Sequence, residues 1–398
     1  MTNRLSLDML KATRLTRAGR LVEATEFLQQ LLRGEAPPEV TDSADLDLSI
    51  GGRRSGGVLP RLRGVLEGMK RVGLQTEPEG SVSRSPAQAR GIVPEGGQFL
   101  ERSYTNHAGG RPYKLYVPSS YRGQTVPLVV MLHGCTQSPN DFAAGTRMNL
   151  IAEEHACLVV YPAQSSEANA AKCWNWFRPS DQQRDQGEPS LIAGITRQVM
   201  HDYPVDPQRV YIGGLSAGAA AAAIMGATYP DVYAAIGVHS GLACGAANDI
   251  PSAFNAMRQG DSSDSSRSGD MSAVLGDGSA APTIVFHGDQ DTIVHPRNGD
   301  HFIAQNRIAK LQKKVHRGQV PGGHSYTRTI HTDASGRAIF EHWDIHGAGH
   351  AWSGGSPVGS YTDPQGPDAA REMLRFFLEH PAPTARHSAR AIDRIDPT

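Results

Sequence analysis

Apolar positions recur at helical spacing near the start of the chain: Leu7, Leu10 and Leu15 precede Gly19, and Leu21, Ala24, Leu28 and Leu31 follow it. Residues three and four apart share one face of a helix, so residues 1–34 are expected to form a helical hairpin. Residues 35–98 are rich in Pro, Gly, Ser and Arg and poor in large apolar side chains, the composition of a linker. Within it Leu62, Val65, Leu66 and Met69 fall at helical spacing among Arg61, Arg63, Lys70 and Arg71, which predicts one short basic helix. From residue 99 to residue 382 the pattern changes to strands alternating with helices, the signature of an α/β domain with a mainly parallel sheet covered on both faces. Extended segments are expected at Phe99–Thr105 and Tyr113–Pro118. The solid apolar run Pro127–Leu132 reads as a buried central strand with Cys157–Tyr161 as its neighbour. Further strands are expected at Val210–Gly213, Ala234–His239, Thr283–His287 and Ala338–Ile345, with helices at Ser190–Asp202, Ala217–Tyr229 and Pro367–Glu379. The run Gly260–Gly269 is polar and low in complexity, a surface loop, and residues 383–398 read as a disordered tail.

The chain's 398 residues are ample for one large domain with an appendage. The balance of 39 Lys+Arg against 40 Asp+Glu carries no electrostatic footprint for nucleic acid or an anionic membrane. There is no apolar run long enough to span a bilayer and no secretory signal pattern at the N-terminus, so a cytoplasmic location is expected. The four cysteines, Cys135, Cys157, Cys173 and Cys244, are widely spaced without a CxxC pair, which argues against zinc or thioredoxin-type chemistry. Their even number permits pairing, but in a reducing cytosol thiols are the expectation.

The candidate chemistry begins at Gly214-Leu-Ser-Ala-Gly218, which follows a predicted strand and opens an alanine-rich helix. That context is what a nucleophile elbow requires, with Ser216 on a tight turn at a helix N-terminus, and it points to an α/β-hydrolase fold. The alternative is an ordinary Gly/Ser turn before a helix. A serine hydroxyl is a weak nucleophile, so an acid and then a histidine should follow in the chain. The strand Thr283–His287 runs into Gly288-Asp-Gln-Asp291, where Asp291 is the chosen acid and Asp289 its rival. The strand ending near Ile345 leads into His346-Gly-Ala-Gly-His350-Ala-Trp352, where His350 is the chosen base and His346 the rival. Acyl transfer also needs donors for the oxyanion. The N–H of Ala217 supplies one and the N–H of Cys135, in the turn His133-Gly-Cys-Thr-Gln137, the other, with no nucleophilic role for the thiol. Gln137, Trp174 and Trp352 are candidate substrate contacts, with a core role as the alternative for the tryptophans. No residue set suggests a metal or a cofactor.

Five segments, His133–Gln137, Cys173-Trp-Asn-Trp-Phe177, Gly214–Gly218, His287–Asp291 and Gly349-His-Ala-Trp-Ser-Gly354, occur in the order and spacing of one family. Over residues 99–382 the chain resembles the esterases of the poly(3-hydroxybutyrate) depolymerase type, relatives of feruloyl and acetylxylan esterases. The resemblance implies one α/β-hydrolase domain without a metal, a Ser216/Asp291/His350 triad, and an oxyanion hole from Cys135 and Ala217. It implies hydrolysis of carboxylic esters through an acyl-enzyme, with poly(3-hydroxybutyrate) or its 3-hydroxyacyl oligomers as substrate. A feruloyl or acetylxylan ester is the alternative, and a non-catalytic binding module on a hydrolase fold is a third reading. The apolar faces of the N-terminal helices are expected to dock on a polymer-granule surface, on a second copy or on the enzyme itself.

Overall fold

The computed structural model describes residues 92–260, 281–305 and 311–383. The expected N-terminal hairpin, nearly all of the linker with its basic helix, residues 261–269 of the polar loop and the tail beyond residue 383 lie outside them.

The apolar runs become the middle of a ten-stranded sheet. Strand β3 (Val126–Leu132) is buried along its whole length, and so is β4 (Leu158–Pro162). Strands covered on both faces need no polar alternation, and Val-rich runs suit them. Beside β3 lies β5 (Val205–Leu215), then β6 (Ala235–His239), β7 (Thr283–Gly288) and β10 (Ala338–Ile345), each parallel to the strand before it in this series. At one flank β1 (Gln98–Asn106) and β2 (Gly109–Val117) form an antiparallel pair, and β2 runs antiparallel to β4. At the other flank β8 (Gln312–Gln319) and β9 (Ser325–Thr332) add an antiparallel hairpin to β10. The strand order is therefore β1-β2-β4-β3-β5-β6-β7-β10-β9-β8.

The β8–β9 hairpin was not expected from the sequence. β8 reads Gln-Lys-Lys-Val-His-Arg-Gly-Gln and is exposed almost throughout, so it carries no apolar alternation. Its Lys313, Lys314 and Arg317 suit a sheet edge, where charge discourages pairing with another chain.

Two apolar layers cover the sheet. On one face α3 (Gly187–Asp202) and the alanine-rich α4 (Ala217–Thr228) pack against strand residues including Leu128, Val130 and Ile212. On the other, α1 (Pro139–Thr146), α2 (Met148–Glu154) and α7 (Ala369–Leu378) pack against Val129, Met131 and Tyr211. Helix α7 shows how the sequence specifies its own placement. Asp368 caps it by accepting from Arg371 N–H, and Met373, Leu374, Phe376 and Phe377 face inward. On its outer side Arg375 reaches the buried carboxylate of Glu341 on β10. Two further helices, α5 (Ile250–Gln259) and α6 (Arg297–Gln305), follow β6 and β7 in the chain. Short strands β11 (Trp352–Ser353) and β12 (Thr362–Asp363) pair in parallel beyond the main sheet.

Candidate active site

Ser216 sits where β5 ends and α4 begins, with φ 57° and ψ −120°. This left-handed φ is strained for a residue with a side chain, and such strain concentrates at functional turns. The flanking glycines are required by the close approach of β3. A Cβ on Gly214 would lie 2.6 Å from the Leu132 carbonyl oxygen, and one on Gly218 would collide with the same atom. The elbow is held from the other side too, because Ser216 N–H donates to the His239 carbonyl at 2.9 Å.

The turn after β3 faces this elbow: a Cβ built on Gly134 would stand 3.6 Å from Ser216 Cβ. Most backbone donors of the turn are spent internally. Gly134 N–H donates to Gln137 Oε1 at 2.9 Å, Thr136 N–H to the Ala171 carbonyl at 2.6 Å and Gln137 N–H to the Gly134 carbonyl at 3.4 Å. Among the described residues the Cys135 N–H has no such acceptor, which leaves it available to a developing oxyanion. Thr136, at φ 65°, strains the turn further, and its hydroxyl lies 3.2 Å from Tyr361 Oη.

Cys135 and Cys173 form a disulfide. This corrects the expectation of four thiols: Cys135 has no thiol to alkylate, while Cys157 and Cys244 are buried. Burial pushes both of those thiols up to about 12. The bond ties the turn after β3 to the segment that carries Trp174, whose indole N–H donates to the His133 carbonyl at 3.0 Å. His133 is buried, which pushes its pKa down to about 4 and keeps the ring neutral. Its Nε2 accepts from Gln164 N–H, so the proton resides on Nδ1, next to the Gly134 carbonyl.

The two candidate acids and two candidate bases sort into separate pairs. Asp291 Oδ2 accepts from His350 Nδ1 at 2.7 Å, and both side chains are nearly or wholly buried. Asp291 Oδ1 accepts from the N–H groups of Ile293 and Val294, each at 2.9 Å. Burial opposes ionisation of Asp291, but hydrogen bonds from His287 and His350 and from the backbone outweigh it and hold the carboxyl well below its ordinary range. Asp289 instead pairs with His346 at 3.1 Å, and that histidine reaches Thr327 on β9 at 2.9 Å. Both members of this second pair are about two-fifths exposed.

His239, at the carboxyl end of β6, is the residue that sequence reasoning missed. Its backbone holds Ser216, as above, while its ring Nε2 accepts from Ser353 N–H at 2.9 Å. One buried residue thus ties the serine turn to the loop that bears His350. Because Nε2 accepts, Nδ1 carries the proton and can donate to Ser240 Oγ at 3.1 Å. Burial pushes this imidazole down to about 3, so it stays neutral. The only sequence signal was a His-Ser pair ending a wholly apolar strand.

The three candidate substrate contacts turn out to be internal supports. Trp174 is fully buried, and Trp352 is 1% exposed, stacked on His239 and edge-on to Phe142. Gln137 is buried, with its amide divided between Gly134, Asp141 and Ser360. Indoles this large gain more from full burial than from lining a cleft.

Several known proteins share this architecture or sequence. The chain is 34% identical over 247 residues to a poly(3-hydroxyalkanoate) depolymerase C of Paucimonas lemoignei, covering 61% of this chain and 58% of that protein. It is 25% identical over 244 residues to a poly(3-hydroxybutyrate) depolymerase of Ralstonia pickettii, covering 58% and 48%. A feruloyl esterase B of Thermothelomyces thermophilus is 28% identical over 200 residues, covering 48% and 67%. The chain therefore spans about half the length of the two depolymerases. In three dimensions it superposes on an acetyl xylan esterase from Aspergillus awamori with a TM-score of 0.56 at 19% identity, over 71% of this chain and 99% of that one, a likeness of fold. The family model described as Esterase PHB depolymerase matches residues 111–313. That span is just over half of the chain and includes the oxyanion turn, the serine elbow and Asp291, and on this ground the protein belongs to the Esterase PHB depolymerase family.

Proposed function

We propose that this protein hydrolyses carboxylic esters through an acyl-enzyme on Ser216, with His350 as general base and Asp291 as the group that orients it. The observation that carries this reading is the buried Asp291–His350 pair on a loop pinned through His239 to the strained Ser216 turn. With His350 Nδ1–H donated to Asp291, Nε2 is the nitrogen left to take the serine proton. Ser216 Oγ then attacks the ester carbonyl, and the N–H groups of Cys135 and Ala217 receive the negative charge that develops on its oxygen. The protonated His350 returns its proton to the departing alkoxide, which leaves as an alcohol. Water activated by the same base then releases the acid and restores Ser216.

The substrate we favour is a 3-hydroxyacyl polyester or its oligomers, in keeping with the two depolymerases among the relatives. The feruloyl esterase relative supports an aryl or sugar ester as the second reading. Comparing kcat/KM on 3-hydroxybutyrate oligomers, p-nitrophenyl butyrate and methyl ferulate decides between them. A tenfold preference for ferulate reverses the order, and a lack of turnover on all three favours a binding module.

The N-terminal segment is proposed as a docking element, on a granule surface or on a second copy. As to location, the Cys135–Cys173 bond suits an oxidising compartment better than the reducing cytosol. Thiol titration of protein recovered from separated cell fractions tests that point. Recovery in the cytosolic fraction with both cysteines reduced supports the cytoplasmic expectation.

A further inference from the structure

A polar cavity of about 580 Å³ opens beside the segment that the disulfide ties to the oxyanion turn. Its lining includes Arg111, Pro112, Gln164, Ser165, Ser166 and Lys172. Strand β2 runs antiparallel to β4, with Tyr113 opposite Pro162, so the first residues of β2 lie at the carboxyl end of β4. Ser216 occupies the same edge of the sheet. The order β2-β4-β3-β5 places the two sites three strand spacings apart, roughly 14 Å.

Arg111 is the reason to expect a ligand. It is 8% exposed and faces Glu188 and Asp181, yet part of its hydrogen-bonding capacity is unused. One terminal nitrogen donates to the Gly110 carbonyl at 2.8 Å, the other stands 3.7 Å from Glu188 Oε1, and the buried Nε has no hydrogen-bond partner. Glu188 is already committed elsewhere. Its Oε1 receives Gln164 Nε2 and Asn175 Nδ2, and its Oε2 receives the Asn175 N–H. Burial, reinforced by Asp181, moreover pushes the Glu188 carboxyl up. Buried guanidinium N–H groups without acceptors are costly, and an oxygen-bearing ligand in the cavity would satisfy those that face it. Lys172 supplies a second cation to the cavity and is held at φ 53°, strained backbone for a residue with a side chain. Among the described residues Lys172 makes no ion pair, and Glu167 is the one carboxylate in the lining.

We infer that this cavity binds the free carboxylate of an oligoester substrate, so that the enzyme reads the acid end of a 3-hydroxyacyl chain while Ser216 attacks an ester bond a few units away. The inference rests on the esterase reading above. A 3-hydroxyacyl chain ends in a hydroxyl group at one terminus and a carboxylate at the other, and the carboxylate is the charged end for which Arg with Lys is the suited pair.

The test compares a 3-hydroxybutyrate hexamer bearing a free carboxyl group, long enough to span the two sites, with its methyl ester, using p-nitrophenyl butyrate as control. The expected result is a preference of about tenfold in kcat/KM for the free acid, expressed mainly in KM, which disappears in Lys172→Met while p-nitrophenyl butyrate turnover stays unchanged. Arg111→Gln tests the buried cation, and Lys172→Met keeps the test decisive where Arg111→Gln fails to fold. Equal turnover of acid and methyl ester, with p-nitrophenyl butyrate still hydrolysed, overturns the subsite and leaves the esterase reading standing. No turnover of any ester overturns the esterase reading and the inference with it. Calorimetric titration of the Ser216→Ala variant distinguishes the anion: saturable binding of 3-hydroxybutyrate that Lys172→Met weakens supports the inference, whereas binding of inorganic phosphate alone overturns the carboxylate assignment.

Discussion

The two candidate acids and the two candidate bases form separate pairs, and the pairing predicts unequal mutational effects. Ser216→Ala and His350→Ala should each lower kcat by about 10⁴-fold or more with circular dichroism unchanged, and the double variant should be little worse than either. Asp291→Asn should be severely impaired, because an amide cannot hold His350 with its proton on Nδ1. Asp289→Asn should cost only a few-fold, since its partner His346 is a surface residue bound to Thr327. Steady-state kinetics on p-nitrophenyl butyrate check all four, and greater damage from Asp289→Asn would reverse the choice of acid. His239 is a further expectation at this scale. Removing its ring frees the Ser353 N–H and a stacking face for Trp352, so His239→Ala should lower kcat through misplacement of His350 and also lower Tm.

Among the elements, the turn after β3 depends most on a covalent support. The disulfide closes a loop of 38-residue separation, which by chain entropy contributes about 2–4 kcal/mol. The pair Cys135→Ser with Cys173→Ser should therefore lower Tm by several degrees. It should also lower kcat by about tenfold, because an oxyanion donor misplaced by a fraction of an ångström loses much of its effect. Dithiothreitol should reproduce both changes in the unmodified protein and neither in the double variant. Unchanged kcat in the double variant would show that the turn holds its shape through Gln137 and Trp174 alone.

At the scale of the whole molecule, two buried neutral histidines make the fold sensitive to acid. Burial lowers His133 from 6.5 to about 4 and His239 from 6.5 to about 3. Between those values and 6.5 the unfolded chain binds more protons than the folded one, so stability falls as the pH drops through that window. Asp291 adds a loss at still lower pH, since its folded carboxyl stays ionised below the point at which the unfolded one protonates. Urea midpoints measured from pH 7 to pH 4 should decline, and His239→Asn should flatten the slope by about one proton. A second expectation concerns the N-terminus. Every residue of the proposed machinery lies within residues 92–383, and Ile92 is buried with its carbonyl accepting from Asn149 Nδ2. Removing residues 1–91 should therefore leave kcat/KM on a soluble p-nitrophenyl ester within a few-fold, while binding to polymer granules, compared side by side, reports any docking role.

Much of this is legible in the amino-acid sequence. Buried parallel strands such as β3 and β4 announce themselves as unbroken Val- and Leu-rich runs, because both of their faces are covered. The glycines around Ser216 are equally plain, since a serine turn that close to β3 tolerates no other residue at Gly214 or Gly218. Other features depend on neighbours that are distant in sequence. The β8–β9 hairpin gains its strand character from hydrogen bonding to β10, not from apolar alternation. Whether Asp289 or Asp291 meets His350 turns on where two loops from β7 and β10 converge, and both aspartates read alike in a linear chain. Cys135 and Cys173 are brought together by the turn after β3 and the segment after β4; Trp174 is core because that segment folds against His133, and Trp352 because it packs on His239 and Phe142. Local chemistry writes the strands and the elbow into the sequence, whereas pairing, burial and cross-linking are properties of approach between segments, which only the folded chain decides.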